Sequence, residues 1–75
     1  MVNSQVLSLK REIREYMMAL KLNTQEINYC QRKNQWIRMS DLLLARTEIL
    51  KSICHRQGKI IEILTAEVEF NKEVA

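Results

Sequence analysis

Gln31-Arg32-Lys33-Asn34-Gln35 (QRKNQ) lies near the middle of a 75-residue chain. If this run stays helical, the chain is one long amphipathic helix. If it turns, the chain is a hairpin of two long arms. The five residues are polar but helix-compatible, and no Gly or Pro stands among them to enforce a turn. The decision therefore rests on the apolar pattern to either side.

Upstream, Val6, Leu9, Ile13, Tyr16, Leu20, Ile27 and Cys30 recur at helical spacing. In heptad terms Val6, Ile13, Leu20, Ile27 and Asn34 share one position. Leu9, Tyr16, Asn23, Cys30, Ile37 and Leu44 share the other. A seam of about five heptads argues for a coiled-coil or bundle helix. Asn23 and Asn34 are its polar members. A buried Asn can fix register at a cost in stability, and equally the seam can be weak there.

Downstream the phase changes. Leu43, Leu50, Gln57, Leu64 and Asn71 recur every seven residues, with Thr47, Cys54, Ile61 and Val68 beside them. Ile49, Ile53 and Ile60 widen this stripe, as expected for a bundle helix with more than one neighbour. The stripe can be traced back through Trp36, Tyr29 and Leu22, so both phases coexist between Leu22 and Leu44. They stand two residues, about 200°, apart. One stutter or stammer inserts four or three residues and does not account for two. Three arrangements satisfy the overlap: a continuous helix sandwiched between partners, a break within QRKNQ, or a second stripe left exposed for another protein.

Local signals refine this. Asn3 or Ser4 can cap the first helix. Asn23-Thr24-Gln25-Glu26 has capping-box spacing but fits inside a helix. Ser40-Asp41 can open a new one. The stronger candidate for a break, should the helix not be continuous, is 31–41. The single glycine, Gly58, makes 56–59 the weaker candidate, because Lys51, His55 and Arg56 precede it as cations precede a helix end. The stripe Leu50, Cys54, Gln57, Ile61, Leu64 keeps its phase through Gly58, so continuity is expected there. Residues 1–75 read as one all-α segment, a long amphipathic helix or two-helix hairpin in a coiled coil or helical bundle.

Composition agrees. There is no proline, hydrophobic residues make up 47% and aromatics 5%. The common residues are good helix formers. A net charge of +3 with this apolar content does not fit disorder. A chain this short buries only roughly 60% of its unfolded surface alone, so oligomerisation, a metal or a disulfide is a usual support. Cys30 and Cys54 are far apart, without a CxxC or a second His, so no standard zinc site is available. They read as reduced thiols of an intracellular protein, cytoplasmic or nuclear. The longest apolar run, Tyr16-Met17-Met18-Ala19-Leu20, falls far short of the ~20 residues of a bilayer span, and no signal peptide is expected.

Chemistry has little foothold. His55 is the only imidazole, and its neighbour Cys54 diverges from it by about 100° on a helix. There is no phosphate-binding Gly-rich loop and no HExxH. No enzyme activity, cofactor or metal is expected. Between Arg32 and Lys59 basic residues dominate, whereas Glu62, Glu67, Glu69 and Glu73 face only Lys72 beyond them. Such an acidic end opposes the helix dipole, so either the helix continues past Ala75 or the end lies against a basic partner.

The expectation is a helical oligomerisation or scaffolding module that buries apolar seams against itself or partner helices within a larger intracellular assembly. Its candidate partner-interface residues are Val6, Leu9, Ile13, Leu20, Ile27, Tyr29, Trp36, Ile37, Leu43, Leu50, Ile53, Ile61 and Leu64. The alternative is a basic nucleic-acid-binding module using Arg32, Lys33 and Arg38 with Tyr29 and Trp36. It ranks second because the net charge is small and both aromatics belong to an apolar stripe. A membrane surface ranks behind it, since Lys10, Arg11, Arg14 and Lys21 are not cleanly separated from Met17, Met18, Leu20 and Leu22.

Overall fold

A computed structural model describes residues 3–74. Helix α1 spans Ser4–Arg32 and helix α2 spans Trp36–Val74. The chain reverses between them, and the two helices pack side by side as an all-α hairpin measuring 61 × 16 × 12 Å. The expectation that the helix runs past Ala75 falls outside the described residues.

The start of α1 is capped by Asn3. Its Oδ1 accepts from the backbone N–H of Gln5 at 2.9 Å and of Val6 at 3.3 Å. Two N–H groups that the helix leaves without partners are thereby satisfied. Asn23-Thr24-Gln25-Glu26 is helix interior, and Thr24 Oγ1 donates to the Leu20 carbonyl at 3.0 Å.

The reversal occupies Lys33-Asn34-Gln35. Asn34 adopts a left-handed backbone with φ 56°. The Gln35 N–H donates to the Cys30 carbonyl at 2.8 Å, and the Asn34 N–H donates to the Gln31 carbonyl at 3.3 Å. These two crossed bonds are the Schellman arrangement, which ends a helix by closing back on its last carbonyls. Glycine usually supplies the left-handed residue, but Asn also visits that region. A turn is thus built without Gly or Pro. The Gln35 carbonyl then accepts from Met39 N–H at 3.0 Å and starts α2. Ser40-Asp41 lies one turn inside α2, and α2 runs unbroken through Gly58.

Cross-helix contacts set the register. Arg38 pairs with Glu26 at 3.6 Å, Asn23 Nδ2 donates to the Leu42 carbonyl at 2.9 Å, and Arg46 donates to Thr24 Oγ1 at 2.7 Å. Arg56 Nε donates to Glu12 Oε2 at 3.0 Å, and Asn3 Nδ2 donates to Glu67 Oε1 at 2.9 Å. α1 has 29 residues and α2 has 39. Past Glu67, the residue opposite Asn3, α2 continues with no α1 alongside.

The core is one row from each helix. α1 contributes Val6, Leu9, Ile13, Tyr16, Leu20, Asn23, Ile27 and Cys30, all buried or half-buried. α2 contributes Met39, Leu42, Arg46, Ile49, Ile53, Arg56, Ile60 and Ile63, likewise. Both rows alternate steps of three and four, the signature of helices packed side by side at a shallow crossing angle. The α2 row differs from the expected one. It lies one residue earlier than Leu43, Thr47, Leu50, Cys54, Gln57, Ile61, Leu64 and Val68, which is a rotation of about 100°. Ile49, Ile53 and Ile60, expected only to widen the stripe, form the contact itself. Ile37 and Leu44, in phase with the α1 seam, are 85% and 69% exposed, because the turn resets the phase between the helices.

Candidate helix-docking face

Pairing α2 with α1 leaves its neighbouring row uncovered. Leu43, Leu50, Ile61, Leu64 and Val68 are between 42% and 65% exposed. Thr47, Cys54 and Gln57 fill the remaining positions and are also exposed. The row runs Leu43, Thr47, Leu50, Cys54, Gln57, Ile61, Leu64, Val68 in steps of four and three. That is a second heptad seam, beside the one the hairpin uses. Its length from Leu43 to Val68 is about 38 Å. Ile61, Leu64 and Val68 line a shallow groove with Thr65, Glu69 and Lys72. The exposed surface of ordinary proteins carries scattered apolar residues, whereas a contiguous patch marks an association site.

The thirteen interface residues expected from sequence divide into two groups. Val6, Leu9, Ile13, Leu20, Ile27 and Ile53 line the contact between α1 and α2, so their burial is already used within one chain. Tyr29, Trp36, Ile37, Leu43, Leu50, Ile61 and Leu64 remain exposed. Leu43, Leu50, Ile61 and Leu64 share the open row of α2. Tyr29, Trp36 and Ile37 gather at the turn, where Asn34, Gln35, Trp36, Ile37, Arg38 and Asp41 surround an open cleft.

The hairpin contact holds two arginines that periodicity did not single out, beside Asn23, which it did. Arg56 lies across Tyr16, with its guanidinium carbon 4.6 Å from the ring centroid. It donates to Glu12 and, through Nη1, to the Ser52 carbonyl at 3.1 Å. Its apolar stem contributes to the seam while its head is satisfied at the edge. Arg46 does the same towards Thr24. Asn23 is 6% exposed and donates one bond to the Leu42 carbonyl, but its Oδ1 has no partner. The available signal was a step pattern from Met39 to Ile63 interrupted by two arginines. An arginine scores as a surface residue unless its partner on the facing helix is known.

Other chemistry is sparse among the described residues. Both cysteines are free, Cys30 fully buried and Cys54 exposed. No group of three His, Cys, Asp or Glu side chains converges as a metal site would require. No helix is long and apolar enough to cross a membrane. The basic residues Arg32, Lys33 and Arg38 stand with Tyr29 and Trp36 at the turn, and Arg38 is paired with Glu26. No family model, curated protein or solved structure matches the chain.

Proposed function

We propose that the chain is a non-catalytic helical assembly module whose working surface is the open row of α2, within a larger intracellular assembly. The observation that carries this reading is the row from Leu43 to Val68, which has heptad spacing and is not covered by the chain's own α1. The thin core supports it further. Only Val6, Leu9, Cys30 and Ile53 are buried apolar residues among those described. Two helices sharing one seam bury little for the chain entropy that folding removes. A third or fourth helix on the open row would add the missing burial, as in a bundle.

Photocrosslinking in the cells that express the chain tests the reading whatever the occupant. A benzophenone amino acid replaces Ile61 in one variant and Met18 in another. These residues are 64% and 66% exposed, so neither replacement disturbs the hairpin core. A discrete adduct from position 61 and none from position 18 is expected. Adducts from both positions, or from neither, overturn the reading.

One observation keeps a second reading. The turn brings Tyr29, Arg32, Lys33, Trp36 and Arg38 to one end of the rod, with Tyr29 46% and Trp36 57% exposed. Such an end can stack bases and meet phosphates. The pairing of Arg38 with Glu26 weakens it. Titration with a single-stranded oligonucleotide decides between them: binding that falls steeply with salt selects the basic end, and no binding at low salt removes it.

A further inference from the structure

We infer that the occupant of the open α2 row is the same row of a second copy, packed antiparallel about a two-fold axis near residues 55 and 56, so that two hairpins form a four-helix bundle. This inference rests on the assembly reading and adds the partner and its orientation.

Three observations carry it. The first is full overlap. Antiparallel pairing about that midpoint sets Leu43 against Val68, Thr47 against Leu64, Leu50 against Ile61 and Cys54 against Gln57 of the other copy. All eight positions are then covered. Sliding by one heptad leaves two exposed at each end. In a two-fold contact one patch must complement itself, and this row does.

The second is charge. From Trp36 to Lys59, α2 carries Arg38, Arg46, Lys51, Arg56 and Lys59 against Asp41 and Glu48. From Ile60 onward it carries Glu62, Glu67, Glu69 and Glu73 against Lys72. Antiparallel packing lays each acidic end along the basic half of the other copy. Parallel packing would set like against like, which is unfavourable. In the fully overlapped register Arg46 stands across from Glu67 of the second copy. Arg46 and Glu67 lie on the border between the open row and α1.

The third is the unequal length of the arms. α2 continues past the level of Asn3, so Phe70, one heptad beyond Ile63 on the α1-facing side, is left 65% exposed beside Val68 of the open row. In the antiparallel pair this end lies beside the Trp36–Leu43 segment of the other copy. Trp36 and Leu43 are exposed there at 57% and 44%.

Sedimentation equilibrium and dipolar spin-label distances on the purified chain test the inference. Labels are placed on exposed Cys54, and on Thr65→Cys in a Cys54→Ser background. Cys30 is buried and does not react. The expected result is a dimer with a short Cys54 distance, about 10–15 Å, and a distance of about 30 Å at position 65, from 1.5 Å rise per residue and helix spacing near 10 Å. Short distances at both positions mean a parallel pair and overturn the inference. A monomer, a trimer or a larger species overturns it too. None of these outcomes removes a position-61 adduct with another protein, which would leave the assembly reading standing with a different occupant.

Discussion

Two rows of eight positions run side by side along α2. One, from Met39 to Ile63, meets α1; the other, from Leu43 to Val68, meets solvent. Each holds six apolar residues. The remaining positions are Arg46 and Arg56 in the first row, Thr47 and Gln57 in the second. By hydropathy the uncharged row is the better seam, yet the hairpin uses the row with arginines. The reason lies on α1. Glu12 and Tyr16 receive Arg56, Thr24 receives Arg46, and Asn23 reaches the Leu42 carbonyl. Burial alone does not separate two equally apolar faces. Specific polar partners do, because a buried arginine or amide without a partner costs more than an exposed leucine.

Truncating one residue from each row should separate the two rows most strongly. Ile53→Ala should cost about 2–4 kcal/mol, because Ile53 is 8% exposed and its loss leaves a cavity. Ile61→Ala, at 64% exposure, should leave hairpin stability within about 0.5 kcal/mol in dilute solution. Urea denaturation followed by helical circular dichroism measures both. Equal losses would mean that the two rows are not distinct.

Removing the partners should blur the choice of row. Arg56→Ala is expected to lose about 1–2 kcal/mol, from the cation–aromatic contact with Tyr16 and the bond to Glu12. Arg56→Lys should recover only part, since ammonium lacks the planar fork. The diagnostic readout is the amide NMR spectrum. Doubled or broadened peaks along α2 would report the helix rolling between its rows, and one sharp set in Arg56→Ala would show that the arginine does not select the face.

Asn23→Leu tests register at the next level of effect. It removes the unpartnered Oδ1 and fills the seam, so stability should rise by about 1 kcal/mol while uniqueness falls. A melting curve that rises, together with faster hydrogen exchange around Leu42, is the expected pair. A fall in stability would mean that the bond to the Leu42 carbonyl outweighs the orphaned oxygen. Gly58→Ala carries the smallest effect, a gain of about 0.5–1 kcal/mol. A Cβ there meets nothing within 4 Å, and alanine is the better helix former. A loss instead would show that another body approaches α2 at Gly58.

The α1 row was legible residue by residue. It is the one sustained apolar row on that arm, so pattern and burial coincide from Val6 to Cys30. The exposed apolar row of α2 was legible as a stripe, and its outward position was one of three arrangements the pattern allowed. The turn was legible only as a phase conflict around QRKNQ. Its cause, Asn34 in the left-handed region closing bonds to Cys30 and Gln31, has no composition signature as strong as Gly or Pro.

Helicity, the lack of strand and loop punctuation, and the seam of α1 are written in the local sequence. All three follow from local propensity and from a period that one helix expresses alone. Which row of α2 turns inward is set by the packing of the two helices. That choice depends on what α1 presents across a gap of tens of residues, where Glu12, Tyr16, Asn23 and Thr24 meet α2. Pairings at that separation are energetic facts of two facing surfaces, and no periodicity along a single helix encodes them.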